Sequence, residues 1–247
     1  MRRRTFIVGA AAFSASRSFA QGVVSDARAL SGDRFISAGQ EYALADITAP
    51  PLYTLRPEKP AYFDDARRAL QDALAGPLTG REVMAPTRWG VLRVRAWAQG
   101  ERESLQEMLL RKGAARAAPR TEDYEYIGRL LAIEDEARRA RRGLWALADY
   151  RVHDAKDASG ALGAYHLIEG AVFKAELHGA RFYLNFGEDF LSDFTASAAS
   201  RLYRRWKAAG TDLEMLRGAP VRVRGLVEEI NGPSIELKHP MQIERLG

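Results

Sequence analysis

The stretch Val91-Leu92-Arg93-Val94-Arg95-Ala96-Trp97 alternates apolar and basic residues from Leu92 to Ala96. A period of two is the mark of a strand with one face buried and the other wet. Around it the chain runs in a definite order. Short strands are expected at Arg34-Phe35-Ile36 and from Glu41 to Ile47, separated by a turn at Ala38-Gly39-Gln40 and ended by Pro50-Pro51. Leu52 to Pro60 reads as an irregular connector. A helix fits Tyr62 to Leu74, with Phe63, Ala66, Leu70 and Leu74 on one stripe, and Gly76-Pro77 follows it. Two strands then flank the turn Pro86-Thr87-Arg88-Trp89-Gly90, and helices fit Ser104 to Lys112 and Tyr124 to Arg142, each stopped by a glycine. Strands, helix, strands and helices in that order predict a mainly β, α+β unit: a small antiparallel barrel with helices packed on its outside and end.

After Trp145 the texture changes. Residues 151–163 are expected to be a linker, since Asp154 to Gly163 is polar and rich in glycine. From 164 to 247 a second β-rich unit is expected: strands over Ala171–Leu177, Arg181–Phe186, Phe194–Ala198, Val221–Glu228 and Ser234–Ile243, with a basic helix near Ala199 to Ala209. Five strands with a helix before the fourth suit an OB-type barrel.

Residues 1–20 read as a removable signal peptide: Arg2-Arg3-Arg4, an apolar run from Val8 to Ala15, and the small-x-small site Ser18-Phe19-Ala20. Arg3-Arg4-Thr5-Phe6-Ile7 resembles a twin-arginine signal, with an ordinary secretory signal as the alternative. Either route predicts a periplasmic or secreted bacterial protein. The net charge of +5 falls to +1 without Arg2, Arg3, Arg4 and Arg17, so no whole-surface basic field draws in nucleic acid. Basic runs remain at Arg111-Lys112 with Arg116 and Arg120, at Arg138 to Arg142, and at Arg201 with Arg204-Arg205-Lys207. Such runs usually are solvated helix faces. The chain has no cysteine, which excludes disulfides and thiolate chemistry, and no membrane span is expected in the mature chain.

Ser31-Gly32-Asp33-Arg34-Phe35-Ile36, Gly39-Gln40 and Tyr42 to Pro51 resemble the pattern D-G-D-T, Gly turn, R-L-x-G-I-D-A-P-E of the staphylococcal nuclease (thermonuclease) family. Thr87-Arg88-Trp89-Gly90-Val91 is similar to its D-R-Y-G-R turn, Gly100 to Gly113 to its helix ending in L-x-x-x-G-x-A, and Glu136 to Trp145 to its closing A-x-x-x-x-x-G-L-W. The resemblance spans residues 22 to 147 and implies a nuclease-type OB barrel over residues 22–150. It also implies a site in which carboxylates hold calcium, a glutamate activates water and two arginines hold the phosphate.

Carried over position by position, only the first calcium ligand survives, as Asp33. The second ligand falls on Thr48, the two arginines on Ala43 and Val91, and the base on Pro51. None of Ala43, Pro51 and Val91 can accept a proton or bind phosphate through its side chain. Loss of catalysis and no resident cofactor are therefore expected. Arg34 is a candidate to supply the charge that calcium once gave. A relocated calcium-dependent phosphodiesterase site built from Asp33, Glu41, Asp46 and Arg93 is the alternative, because Glu41, Asp46 and Arg93 keep the strand face of the lost positions.

For the rest, Arg88 and Trp89 in the first unit, and Tyr183, Phe186, Arg222 and Arg224 in the second, are candidates for holding single-stranded nucleic acid, a core role being the competing reading of the aromatics. The four histidines, His153, His166, His178 and His239, lack metal-ligand spacing. The expected function is an exported binding module for nucleic acid or a periplasmic protein. A cell-envelope interaction scaffold without a nucleic-acid role is the further alternative.

Overall fold

In a computed structural model the chain is described at residues 24–51, 60–189 and 192–247. The signal-peptide segment and most of the 52–60 connector lie outside the described residues.

The first unit contains β1 (Arg28–Ala29), β2 (Arg34–Ser37), β3 (Gln40–Leu44), β4 (Ile47–Thr48), α1 (Phe63–Ala73), β5 (Leu78–Met84), β6 (Leu92–Ala98), α2 (Leu105–Arg111), β7 (Arg116–Ala117) and α3 (Tyr124–Arg139). Its main sheet has the order β1-β2-β3-β6-β5, and a bridge from Val24 to Leu78 of β5 brings the two edges together. The β2–β3 hairpin turns through Ala38 and Gly39, both at positive φ, as the sequence demanded. β3 and β6 run parallel, which departs from the all-antiparallel expectation. The crossover through α1 reverses the direction in which β6 is reached. Phe35, Tyr42, Leu44, Val94 and Ala96 fill the barrel, with α1 closing one side through Ala66 and Leu70. α2 begins at a reciprocal cap, in which Ser104 and Glu107 satisfy each other's backbone N–H groups.

At Arg95 the basic face of β6 is not wet. α3 packs over it, so Arg95 is 5% exposed, pairs with Asp123 at 2.9 Å and lies over the Tyr126 ring. A guanidinium under a helix needs such a carboxylate and ring to replace its water.

The second unit contains β8 (His153–Asp154), β9 (Tyr165–Ala171), β10 (Lys174–His178), β11 (Arg181–Asn185), β12 (Thr195–Ala199), α4 (Ser200–Ala208), β13 (Pro220–Glu229), β14 (Pro233–Leu237) and β15 (Ile243–Arg245). Its path is β10-β11-β12-β14-β13-β9-β8, with β15 paired to β13. Only Val172 and Phe173 separate β9 from β10, so the sheet curls back on itself. The parallel pair β12–β14 and the helix before β13 repeat the arrangement of the first barrel. The strand expected over Ala171–Leu177 is β10, starting three residues later, and β9 ahead of it had no counterpart in the sequence reading.

Residues 151–163 are not a solvated linker. They form β8, paired with β9, and a 3-10 helix whose Ala155, Ala158 and Ala161 are buried in the second core. Alanine at that spacing is apolar enough to pack while its neighbours stay polar, which is why the segment read as a linker. A third apolar cluster, Ala137, Leu144, Trp145, Tyr150 and Leu167, joins the barrels. Gly113 and Gly143 let two backbones cross there: a Cβ on Gly113 would lie 2.1 Å from the Arg142 carbonyl oxygen.

Candidate nucleic-acid interface

The register places Arg34, Ala43 and Arg93 side by side on β2, β3 and β6. Directly opposed residues share a face of the sheet. Phe35, Tyr42 and Leu92 form the next row, and all three are buried, so the arginine row faces outward. Ala43 thus has an arginine on each side. Arg34 is held by Glu41 at 2.7 Å, and Arg93 donates through Nε and Nη2 to the Ala85 carbonyl at 2.9 and 2.6 Å. Val91 is buried, Pro51 is exposed, and Thr48 stands opposite Arg116.

Asp33 lies beside this row. Its Oδ1 accepts from Ser31 Oγ at 2.7 Å and its Oδ2 from the Ala49 N–H at 3.2 Å. Burial raises its pKa, opposed by those two hydrogen bonds and by the positive charges of Arg120 and Arg34, in that order. Arg120 thus joins Arg34 as a cation beside Asp33; in the sequence it stood only in a basic run. The Asp46 carboxylate, 1% exposed, accepts from the N–H groups of Arg120 and Thr121, both at 2.8 Å, and from Thr121 Oγ1 at 2.7 Å. So fixed, Arg120 directs Nη1 to the Ile47 carbonyl at 3.3 Å. The contacts run across 74 and 75 residues of chain, a separation that sequence periodicity does not register.

A calcium ion takes six to eight oxygens. Here one carboxylate has both oxygens engaged by protein donors, with an arginine alongside it. Among the described residues no group of three or more His, Cys, Asp or Glu is placed to hold a metal. This donor set does not fit calcium. The four residues of the relocated site are not assembled for catalysis either. Asp46 is spent on the 120–121 loop and sealed from solvent, Glu41 is paired with Arg34, and Arg93 is bound to Ala85.

Arg88 and Trp89 stand at the rim, with the Arg88 guanidinium 3.9 Å from the Trp89 ring centroid and Trp89 75% exposed. Residues 41–147 match the family described as staphylococcal nuclease homologue. The first barrel is a staphylococcal nuclease homologue domain. No curated protein matches the chain.

Outside the nuclease homologue domain, the expected strand-holding set is corrected. Arg222 and Arg224 are 7% and 1% exposed and serve the joint between the barrels. Arg224 pairs with Glu134 of α3 and with Glu244, and Arg222 pairs with Asp135 of α3 at 3.1 Å and Glu169 at 2.6 Å. Guanidiniums buried against carboxylates in this way are out of reach of a phosphate. Phe186 packs on Phe194 against the second core. Tyr183 is on the outer face of β11, between Glu176 and Ser197, and the surrounding charges cancel in the pairs Lys174–Glu176 and Arg181–Glu236. Desolvation holds the pKa of His153 and of His239 below the ordinary histidine value.

Proposed function

We propose that this protein is a non-catalytic, metal-independent nucleic-acid-binding member of the nuclease-homologue group, exported through its N-terminal signal and working in the periplasm or outside the cell. The observation that carries the reading is the outward row Arg34–Ala43–Arg93 with Arg120 next to it, in a cleft where, among the described residues, the Asp33, Glu41 and Asp46 carboxylates are each engaged by protein partners. Three cations gathered there suit a phosphate backbone. The missing base, metal ligand and arginine pair would each cost roughly two or more powers of ten in rate.

Two measurements test it. A DNA or RNA cleavage assay with and without added calcium is expected to show background only, and calcium-dependent turnover would refute the non-catalytic part. Binding to a labelled oligonucleotide is expected to weaken steeply with salt, because phosphate contacts release counterions. A flat response would favour the envelope-scaffold alternative, which the mature net charge of +1 also suits.

A further inference from the structure

The seam between the barrels holds two adjoining hollows of about 230 Å³ each. Tyr124, Thr211 and Pro240 line both; Trp206 and Ala209 of the α4 region close one, and Met241 the other. Tyr124 is the first residue of α3 and is 46% exposed. Its ring is backed by His239 at 5.3 Å, and His239 is itself fixed by accepting the Met241 N–H on Nδ1. The result is a supported aromatic surface open to solvent beside a hollow.

Along the groove runs α4. Its apolar side buries Tyr203 and Trp206, and Arg201, Arg204 and Arg205 are exposed. Arg201 and Arg205 precede the groove-lining Ala209 by two turns and one turn, so they share its side of the helix. The fourth cation, Lys207, is taken up by Asp212 and Glu214, each at 3.0 Å. Arg205 reaches Glu122 at 3.4 Å, while among the described residues Arg201 and Arg204 have no carboxylate partner. Glu122 is two residues from Arg120, so the cleft and the groove are joined by a step of at most about 7 Å along the chain.

We propose that this seam is a second nucleic-acid site, specific for single strands, in which an unpaired base stacks on Tyr124 and the adjoining phosphates lie along Arg201 and Arg205. It rests on the nucleic-acid reading of the cleft and extends that site across the joint. Basic side chains beside an exposed aromatic are what a single strand requires, and the stack is denied to a duplex, whose bases face one another.

The test is fluorescence anisotropy of the full chain with labelled oligodeoxythymidylate of about 15 nucleotides and with a duplex of the same length. Tyr124→Ala is expected to weaken single-strand binding about fivefold or more and leave duplex binding unchanged. Arg201→Glu with Arg205→Glu, both exposed positions that leave the buried contacts in place, is expected to reduce the slope of log affinity against log salt by about 1.4. Wild-type binding with both variants unaltered overturns the seam site and leaves the cleft reading standing. An effect of the arginine pair without one of Tyr124→Ala overturns the stacking. A wild-type chain that binds no oligonucleotide overturns the cleft reading and the seam together.

Discussion

Arg224 of β13 and Glu134 of α3 form an ion pair buried on both sides, 1% and 2% exposed, that belongs to neither barrel alone. Glu134 also accepts the Ala117 N–H at 2.7 Å, and Arg224 also binds Glu244. Each charge has exchanged its water for protein partners, with Arg224 Nε alone left without one. A buried pair of this kind is costly to form and more costly to break on one side.

Glu134→Gln, which keeps an acceptor for Ala117 but removes the charge, is expected to destabilise the protein by about 3 kcal/mol. Glu134→Ala is expected to cost about 1 to 3 kcal/mol more, because the Ala117 N–H loses its acceptor. Urea unfolding followed by tryptophan fluorescence measures both. Midpoints within error of wild type would show that the joint contributes nothing.

Acidification from about pH 7.5 to about pH 5.5 is expected to lower the melting temperature. Burial depresses the folded pKa of His153 and His239 below the ordinary histidine value. The unfolded chain therefore binds more protons over that window. Stability is full above the unfolded value and is lost as the pH falls through it. His239→Asn preserves an acceptor for the Met241 N–H and should flatten the pH dependence, and a slope as steep as wild type would remove His239 from the account.

Gly113→Ala and Gly143→Ala are expected to cost about 3 kcal/mol or more each, since both residues have positive φ and face backbone at 2.1 and 2.3 Å. Gly39→Ala, at φ 79 with open space around it, is expected to cost only about 1 to 2 kcal/mol. Thermal melts of the three variants give the comparison, and equal losses would contradict the backbone crossing.

Arg93→Ala is expected to weaken oligonucleotide binding at every sequence and to lower the salt slope by about 0.7, the effect of one phosphate contact. A salt titration of the variant against wild type reads it directly. An unchanged slope would place the phosphate elsewhere.

Much of the first barrel is legible in the sequence because its signals are local. The alternation in β6, the turn at Ala38-Gly39 and the stripe Phe63, Ala66, Leu70 on α1 each act within a few residues and fix which side is buried. The family landmarks add the expectation that Ala43, Thr48, Pro51 and Val91 stand where the family has site residues. The second unit is legible in its strand count but not in its first strand or in the supposed linker. Alanines packed against a core at Ala155, Ala158 and Ala161 look the same as alanines in a loop.

The sequence alone determined the barrel of the nuclease homologue domain and the residues standing at Ala43, Thr48, Pro51 and Val91. The tertiary structure decided the fate of each charge. Arg224 and Arg201 are alike in sequence, each in a basic run beside apolar residues, yet one is sealed against Glu134 from 90 residues away and the other is exposed on α4. Asp46 and Arg120 are joined only because folding brings a carboxylate to two backbone N–H groups 74 and 75 residues distant. Hydrogen bonds and the strongest charge pairing act over a few ångströms. Whether a cation is solvated, paired or free to bind phosphate therefore depends on neighbours that only the fold supplies.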